Sequence, residues 1–412
     1  MTESVSTSDA PTKPLLVYVN VPFCNSKCHF CDWVANVPVR DLRLRSESPS
    51  RRRYLDALRA QVAAHAPGLV ADGYRPRIMY WGGGTASILD CSEIEHVFSS
   101  LTGHLDLGGL AEATIEGSPE SLEPDKLHLL RDLGFNRISI GVQAFDDVRL
   151  RKIGRSHSAD QALTSIDAAR AAGFDNINID LIVGFPDQDL AEVDKTMRQA
   201  VTLPVNHFSV YPYRASPGTV LRKQVNRGDA ELNMRRQLSA YRLAGDILTG
   251  SGFPEYAMSY FGAPRCQSDE AYYQLTMDWI GFGSGANSVL RRRYLNNTQG
   301  FLHRYNERPG EFDTDVPAGS PRLTTYFLAQ ALTTAEGIDA RHFQERTGIP
   351  LRTACEEPEV YAYLERMSRY GELVVDRNGI RVRREDMARM FVALSWIDLP
   401  NTTGELTLIS GT

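Results

Sequence analysis

The chain has 412 residues, of which 42% are hydrophobic and 23% charged, the proportions of a globular protein with a sizeable core. A formal net charge of −6 argues against a general nucleic-acid or membrane-coating surface. Six cysteines, with Cys91, Cys266 and Cys355 scattered, do not make a disulfide framework.

Residues 1–14 are polar and Ser/Thr-rich and read as a disordered tail, not a signal peptide. No run of about 18 apolar residues exists, so no membrane span is expected, and unpaired thiols favour the reducing cytoplasm. From residue 15 the pattern alternates strand and helix. Strands are expected at 15–23, 77–81, 113–116, 137–143, 176–183 and 207–213. Helices are expected at 51–66, 92–101, 119–133, 159–172 and 190–203, with Gly134 and Gly173 as stop signals. The strands read as near-continuous apolar runs, as in a parallel sheet buried on both faces. About six such units predict a partial (β/α)6 TIM-type barrel over 15–215, its active site at the C-terminal ends of the strands.

Residues 216–320 are less regular and read as a barrel extension, with a helix near 231–249 and a glycine-rich stretch at 280–288. Residues 321–412 change character. Helices at 323–334, 340–347 and 359–369 precede a hairpin at 373–382 that turns at Arg377-Asn378-Gly379. Three helices plus a hairpin resemble a winged helix, so the fold class expected is α/β with a C-terminal winged-helix-like α+β domain. The mixed charge of the wing argues against nucleic acid as a partner.

The chemistry concentrates at strand ends. Cys24, Cys28 and Cys31 stand in CxxxCxxC spacing on the loop after the first strand. Three thiolates on one short loop suit a 4Fe–4S cluster and leave one iron open for a small molecule. The alternative, a zinc site, usually wants four ligands, and the next cysteine is Cys91 with no partner nearby. Gly82, Gly83 and Gly84 follow the second strand, where they let the backbone approach a ligand or simply make a tight turn. Glu116 ends the third strand, where its carboxylate is either a ligand contact or a solvated rim group.

Six segments then occur in order: Tyr18-x-x-x-Pro-Phe-Cys24, Tyr80-Trp-Gly-Gly-Gly-Thr85, Thr114-Ile-Glu-Gly-Ser-Pro-Glu120, Asn136-Arg-Ile-Ser-Ile-Gly-Val-Gln-Ala-Phe145, Gly154-Arg155, and Asn178-Ile-Asp-Leu-Ile-Val-Gly-Phe-Pro186. Together they resemble the radical S-adenosylmethionine (SAM) family of oxygen-independent coproporphyrinogen III oxidase and its relatives, over about 15–287. The resemblance implies a 4Fe–4S cluster on the three cysteines and two SAM molecules. Tyr18, Gly83, Glu116 and, loosely, Asn287 match contacts to the first SAM. Phe30, Gly84, Thr85, Gln143, Arg155 and Asp180 match contacts to the second.

Three departures bear on the branch. Asn20 stands where relatives usually have His, and Asp32-Trp33 where coproporphyrinogen oxidase has Gly-Cys. The heme-chaperone box His-Asn-x-x-Tyr-Trp has lost its His and Trp in Cys266-Gln-Ser-Asp-Glu-Ala-Tyr-Tyr-Gln274. They favour the class C methyltransferase and cyclopropanase branch: a transferase of antibiotic or other natural-product biosynthesis. It would pass a SAM-derived methylene or methyl to an sp2 carbon of a small-molecule substrate, with an electron donor such as flavodoxin or ferredoxin. The rivals are a heme chaperone-like protein, with Cys266 as a heme ligand or, as a lone cysteine more often is, buried and inert, a coproporphyrinogen oxidase, and a transcriptional regulator using the winged helix. The catalytic acid or base is unassigned. Tyr211, Tyr213, His207, Tyr272 and Tyr273 are candidates that read equally as packing, and His29 reads as a solvent-facing spacer.

Overall fold

The structure is a computed structural model that describes residues 12–31, 49–300 and 302–396, with side chains through 392. Residues 1–11 of the expected tail, and Asp32-Trp33, lie outside the described residues. Strands β1 (Lys13–Val21), β2 (Tyr74–Gly83), β3 (Glu112–Gly117), β4 (Arg137–Gln143), β5 (Asn176–Val183) and β6 (His207–Pro212) lie side by side in parallel, in chain order. Helices Pro49–Ala71, Cys91–Thr102, Pro124–Asp132, Ala159–Ala171 and Leu190–Ala200 connect them. This is the expected α/β architecture of a partial TIM-type barrel.

The expected helix at 119–133 is broken. A 3-10 turn at Pro119–Ser121 is followed by a fresh helix at Pro124–Asp132. Pro124 lacks an N–H and pushes the residue before it out of the helical region; Glu123 is extended, with ψ 149°.

The strands are also less uniformly apolar than the sequence reading holds. In β4, Ile138, Ile140 and Val142 belong to the main core, while Arg137, Ser139, Gly141 and Gln143 line the lumen. In β5, Ile177, Ile179 and Leu181 alternate with Asn178 and Asp180 in the same way. Period-two alternation therefore separates an apolar outer face, covered by helices, from a polar lumen.

The segment after β6 adds strands to both edges of this sheet. β7 (Glu255–Ala257) and β8 (Tyr260–Gly262) extend it beyond β6, and β9 (Asp278–Phe282) lies parallel against β1. β10 (Asn287–Leu290), β11 (Arg293–Asn297) and β12 (Phe312–Pro317) follow antiparallel, giving the order β12-β11-β10-β9-β1-β2-β3-β4-β5-β6-β8-β7. The glycine-rich stretch is thus a strand and its turn. At Gly281 a Cβ would sit 2.4 Å from the Asn287 carbonyl oxygen, so only glycine permits the close approach there.

Helices Pro321–Ala331, Ala340–Thr347 and Pro358–Ser368 and a small sheet, β13 (Ile338–Asp339), β14 (Leu373–Asp376) and β15 (Gly379–Val382), form the C-terminal part. Their apolar faces share a second core with Leu16, Ile78 and Trp279. Leu16 and Ile78 lie in the N-terminal halves of β1 and β2, so this packing covers the end of the lumen opposite the cysteine loop.

Candidate functional site

β1 carries the chain directly into the cysteine loop, and the loop is fastened at His29. The His29 N–H donates to the Ile153 carbonyl at 2.8 Å, its Nδ1 lies 2.7 Å from the Lys152 carbonyl, and its carbonyl accepts from Leu221 N–H at 3.2 Å. His29 is therefore a half-buried strut and not the solvent-facing spacer expected from sequence.

Polar groups lie beside the Cys24 and Cys28 sulfurs. Thr85 Oγ1 lies 3.7 Å from Cys24 Sγ, and Arg155 Nη1 lies 3.4 Å from Cys28 Sγ. Arg155 is held in place by its second donor, Nη2, on the Gly141 carbonyl at 2.7 Å. Burial pushes the Cys24 thiol up to about 12, so its thiolate needs a metal partner to persist at neutral pH. Among the described residues no group of three His, Cys, Asp or Glu side chains gathers round a single metal ion. Three thiolates on one loop, with the Arg155 guanidinium donating to the Cys28 sulfur, fit a cluster, in which each thiolate takes a different iron.

The glycine run sits against this loop. A Cβ on Gly84 would meet Phe23 O at 2.6 Å and Cys24 Sγ at 2.9 Å. Gly83 has φ +113°, and its N–H donates to Glu116 Oε2 at 3.1 Å. Tyr80 donates its hydroxyl to Glu116 Oε1 at 2.7 Å. Burial raises Glu116 to about 8 against the lowering effect of the Tyr80 and Gly83 bonds, and the nearby Asp180 charge adds to the rise. Tyr18 stacks on Tyr80 with ring centroids 6.0 Å apart and donates to Asn20 Oδ1 at 3.2 Å. Asn20 in turn donates Nδ2 to the Ser284 carbonyl at 2.7 Å, tying the end of β1 to the β9–β10 turn. Asn287 accepts from Trp279 Nε1 at 2.9 Å.

Across the lumen, Gln143 ends β4 with φ +69°, a left-handed conformation that a non-glycine residue adopts at some cost. Asp180 accepts from Asn178 Nδ2 at 2.8 Å and Ser139 Oγ at 3.4 Å, and burial raises its pKa. A cavity of about 460 Å³ joins the two sides. Tyr18, Phe30, Cys31, Gly84, Thr85 and Glu116 line it, as do Gln143, Arg155, Asp180 and Asn287. Gly83, Cys24 and Cys28 stand behind this lining, in contact with it through Glu116, Thr85 and Arg155. The volume lies in the range of small-molecule sites.

Of the acid–base candidates, Tyr211, Tyr213, Tyr272 and Tyr273 reach the cavity. His207 does not. It is fully buried between Asn178 Oδ1 at 2.6 Å and the Tyr256 hydroxyl at 2.7 Å, and burial holds it neutral, well below its usual range. Cys266 is also sealed in, with Sγ 3.1 Å from Ser268 Oγ and 3.5 Å from Glu112 Oε1, and burial keeps it a thiol. It cannot reach a ligand in the cavity, which removes it as a heme ligand. Sequence reasoning missed Arg137, Asp269 and Tyr260, which line the cavity. The polar alternation in 137–143 was the signal for Arg137; Asp269 and Tyr260 carry none.

The model of the radical SAM superfamily matches residues 18–200. The heme chaperone HemW of Lactococcus lactis is 30% identical over 296 residues, covering 71% of this chain and 74% of that protein. HemW of Escherichia coli is 30% identical over 321 residues, covering 74% of this chain and 80% of that protein. The chain belongs to the radical SAM superfamily.

Within this superfamily it is also similar to the oxygen-independent coproporphyrinogen III oxidase of Salmonella typhimurium, 30% identical over 315 residues, 73% of this chain and 66% of that protein. The solved coproporphyrinogen III oxidase HemN of Escherichia coli shares the fold, with TM-score 0.72 at 23% identity over 93% of this chain and 90% of that one. Membership in the superfamily implies a 4Fe–4S cluster and SAM.

These relatives overturn the expected class C methyltransferase or cyclopropanase, its transferase activity and its place in antibiotic biosynthesis, because they are named heme chaperones and coproporphyrinogen oxidases. That expectation rested on a few local departures at Asn20, Asp32-Trp33 and 266–274. Identity spread over some three hundred residues outweighs them. Among the described residues no helix is long and apolar enough to cross a membrane.

Proposed function

We propose that this chain is a heme chaperone-like radical SAM protein that binds a heme in the lumen whose mouth carries the cluster and SAM. The observation that carries this reading is the 30% identity to HemW proteins over 74% and 80% of their lengths. The cavity supports it. Tyr211, Tyr213, Tyr272, Trp279, Tyr363 and Phe391 give its wall flat apolar faces suited to a macrocycle.

In this proposal Cys24, Cys28 and Cys31 hold the cluster. Tyr18, Gly83, Glu116 and Asn287 hold the SAM bound at its open iron. Phe30, Gly84, Thr85, Gln143, Arg155 and Asp180, which also line the cavity, would hold a second SAM. When bound, a reduced cluster supplies an electron to SAM, drawn from a donor such as flavodoxin or ferredoxin. The chain's own residues position and shield. Arg155 directs a hydrogen-bond donor at the Cys28 sulfur, which raises the potential at which a cluster is reduced. Glu116, raised by burial and with both oxygens accepting, from Tyr80 and Gly83, is held at the lumen wall for contact with a bound ligand.

Anaerobic titration of the reconstituted protein with hemin, followed in the Soret band, tests this. One heme per chain is expected. No saturable binding, or release of carbon dioxide from coproporphyrinogen by the reconstituted protein, would overturn the reading.

A further inference from the structure

The lumen holds a buried cation that meets no partner. Arg137 opens β4 and shares its lumen face with Ser139, Gly141 and Gln143. It is 2% exposed and lines the cavity, and its Nε has no hydrogen-bond partner. The guanidinium enters no hydrogen bond or ion pair among the described residues. A guanidinium buried this way is costly unless something closes on it.

The carboxylates around it are engaged elsewhere or stand off. Glu112 turns both oxygens to the N–H groups of Gln267 and Ser268, at 3.1 and 3.2 Å, capping the helix Gln267–Tyr273. Asp180 is occupied by Asn178 and Ser139. Asp269 faces the same cavity and interacts with Arg137 through space, without an ion pair. The charge of Arg137 is thus balanced at a distance while its planar fork stays open toward the lumen. That fork matches a carboxylate in bidentate geometry, which no other side chain does as well.

We propose that Arg137 anchors a carboxylate of the ligand, at the end of the lumen opposite the cysteine loop. Resting on the heme chaperone-like reading, the group it takes is a propionate arm of the tetrapyrrole. From Arg137 to Gln143 the strand rises about 20 Å. A carboxylate held at Arg137 therefore directs the remainder of the ligand toward the SAM end of the lumen.

The test uses iron(III) mesoporphyrin IX and its dimethyl ester, which differ only in the two carboxylates, titrated against the full reconstituted chain. The wild type is expected to bind the diacid at least about tenfold more tightly than the ester. Arg137→Gln should erase that preference by weakening the diacid about tenfold or more, with the ester changed less than about twofold. Equal affinity of the wild type for both porphyrins overturns the anchor, and so does a preference that survives in Arg137→Gln. If Arg137→Gln does not fold, Arg137→Lys keeps the charge and loses the fork. It should weaken the diacid alone, and an unchanged diacid affinity overturns the proposal. If neither porphyrin binds the wild type, the heme-binding reading itself fails, a result separate from loss of ester discrimination.

Discussion

Gly84→Ala is the sharpest perturbation of the cysteine loop. The added Cβ would lie 2.6 Å from Phe23 O, 2.9 Å from Cys24 Sγ and 3.0 Å from Phe23 C. The first of these falls about 0.8 Å short of ordinary contact. Gly84 cannot retreat, because its N–H donates to the Val21 carbonyl at 2.8 Å, and its neighbour here is backbone and not a swinging side chain. The loop must move away from the glycine run. Overpacking of this kind costs about 1–3 kcal/mol. Borne by cluster binding, that is between about fivefold and about 150-fold in affinity. The matched control is Gly68→Ala, on a helix with nothing within 4 Å of the new Cβ, where alanine should be neutral or mildly stabilising. Iron and acid-labile sulfide per chain, after anaerobic reconstitution at limiting iron, should fall in Gly84→Ala and not in Gly68→Ala. Equal uptake by the two variants would refute the packing of the loop against Gly84.

Removing two buried lumen carboxyls, Glu116 and Asp269, should flatten the pH dependence of the apoprotein. Burial raises Glu116 to about 8 and Asp269 to about 7, so the folded state binds protons that the unfolded chain releases near 4. Their stabilisation is complete below the unfolded values and is lost as pH rises through 7 and 8, by at most about 1.4 kcal/mol per pH unit for each group. The midpoint of thermal unfolding should therefore fall between pH 5 and 8 in the wild type and fall less in Glu116→Gln/Asp269→Asn. Parallel curves would contradict this. Arg155→Gln takes a cationic donor from Cys28 Sγ, and the cluster potential should move negative in a redox titration followed by electron paramagnetic resonance. An unmoved potential would show that the contact does not act on the cluster. Cys266→Ala should leave the Soret spectrum and heme stoichiometry unchanged, because its sulfur is sealed beneath Glu112 and Ser268. A shifted Soret band would reinstate it as a ligand.

The parallel order of β1 to β6 was legible because β-branched runs and glycine-stopped helices alternate regularly from residue 15 to 213. Spacing pointed to the cysteine loop, and the family resemblance added Thr85, Glu116, Gln143, Arg155 and Asp180; the structure lines one cavity with Cys31 and these five, although Asp180 lies inside β5 and Arg155 follows the short helix Asp147–Lys152. β9 stayed hidden because five residues rich in glycine and aromatics carry no period, and its place against β1 is a long-range pairing. His207 stayed open between proton transfer and packing because a histidine at a strand start looks the same in sequence whether it faces a lumen or a core. For Cys266 the sequence favoured burial but not what covers it. Only the tertiary structure shows that Glu112, 154 residues away in the chain, closes over its sulfur.

Electron paramagnetic resonance of the anaerobically reconstituted, dithionite-reduced protein, recorded before and after SAM is added, tests the site most directly. A four-iron signal from Cys24, Cys28 and Cys31 is expected, with g values that shift when SAM occupies the open iron. Absence of that signal, or a spectrum indifferent to SAM, would contradict a cluster with a free coordination position at the mouth of this barrel.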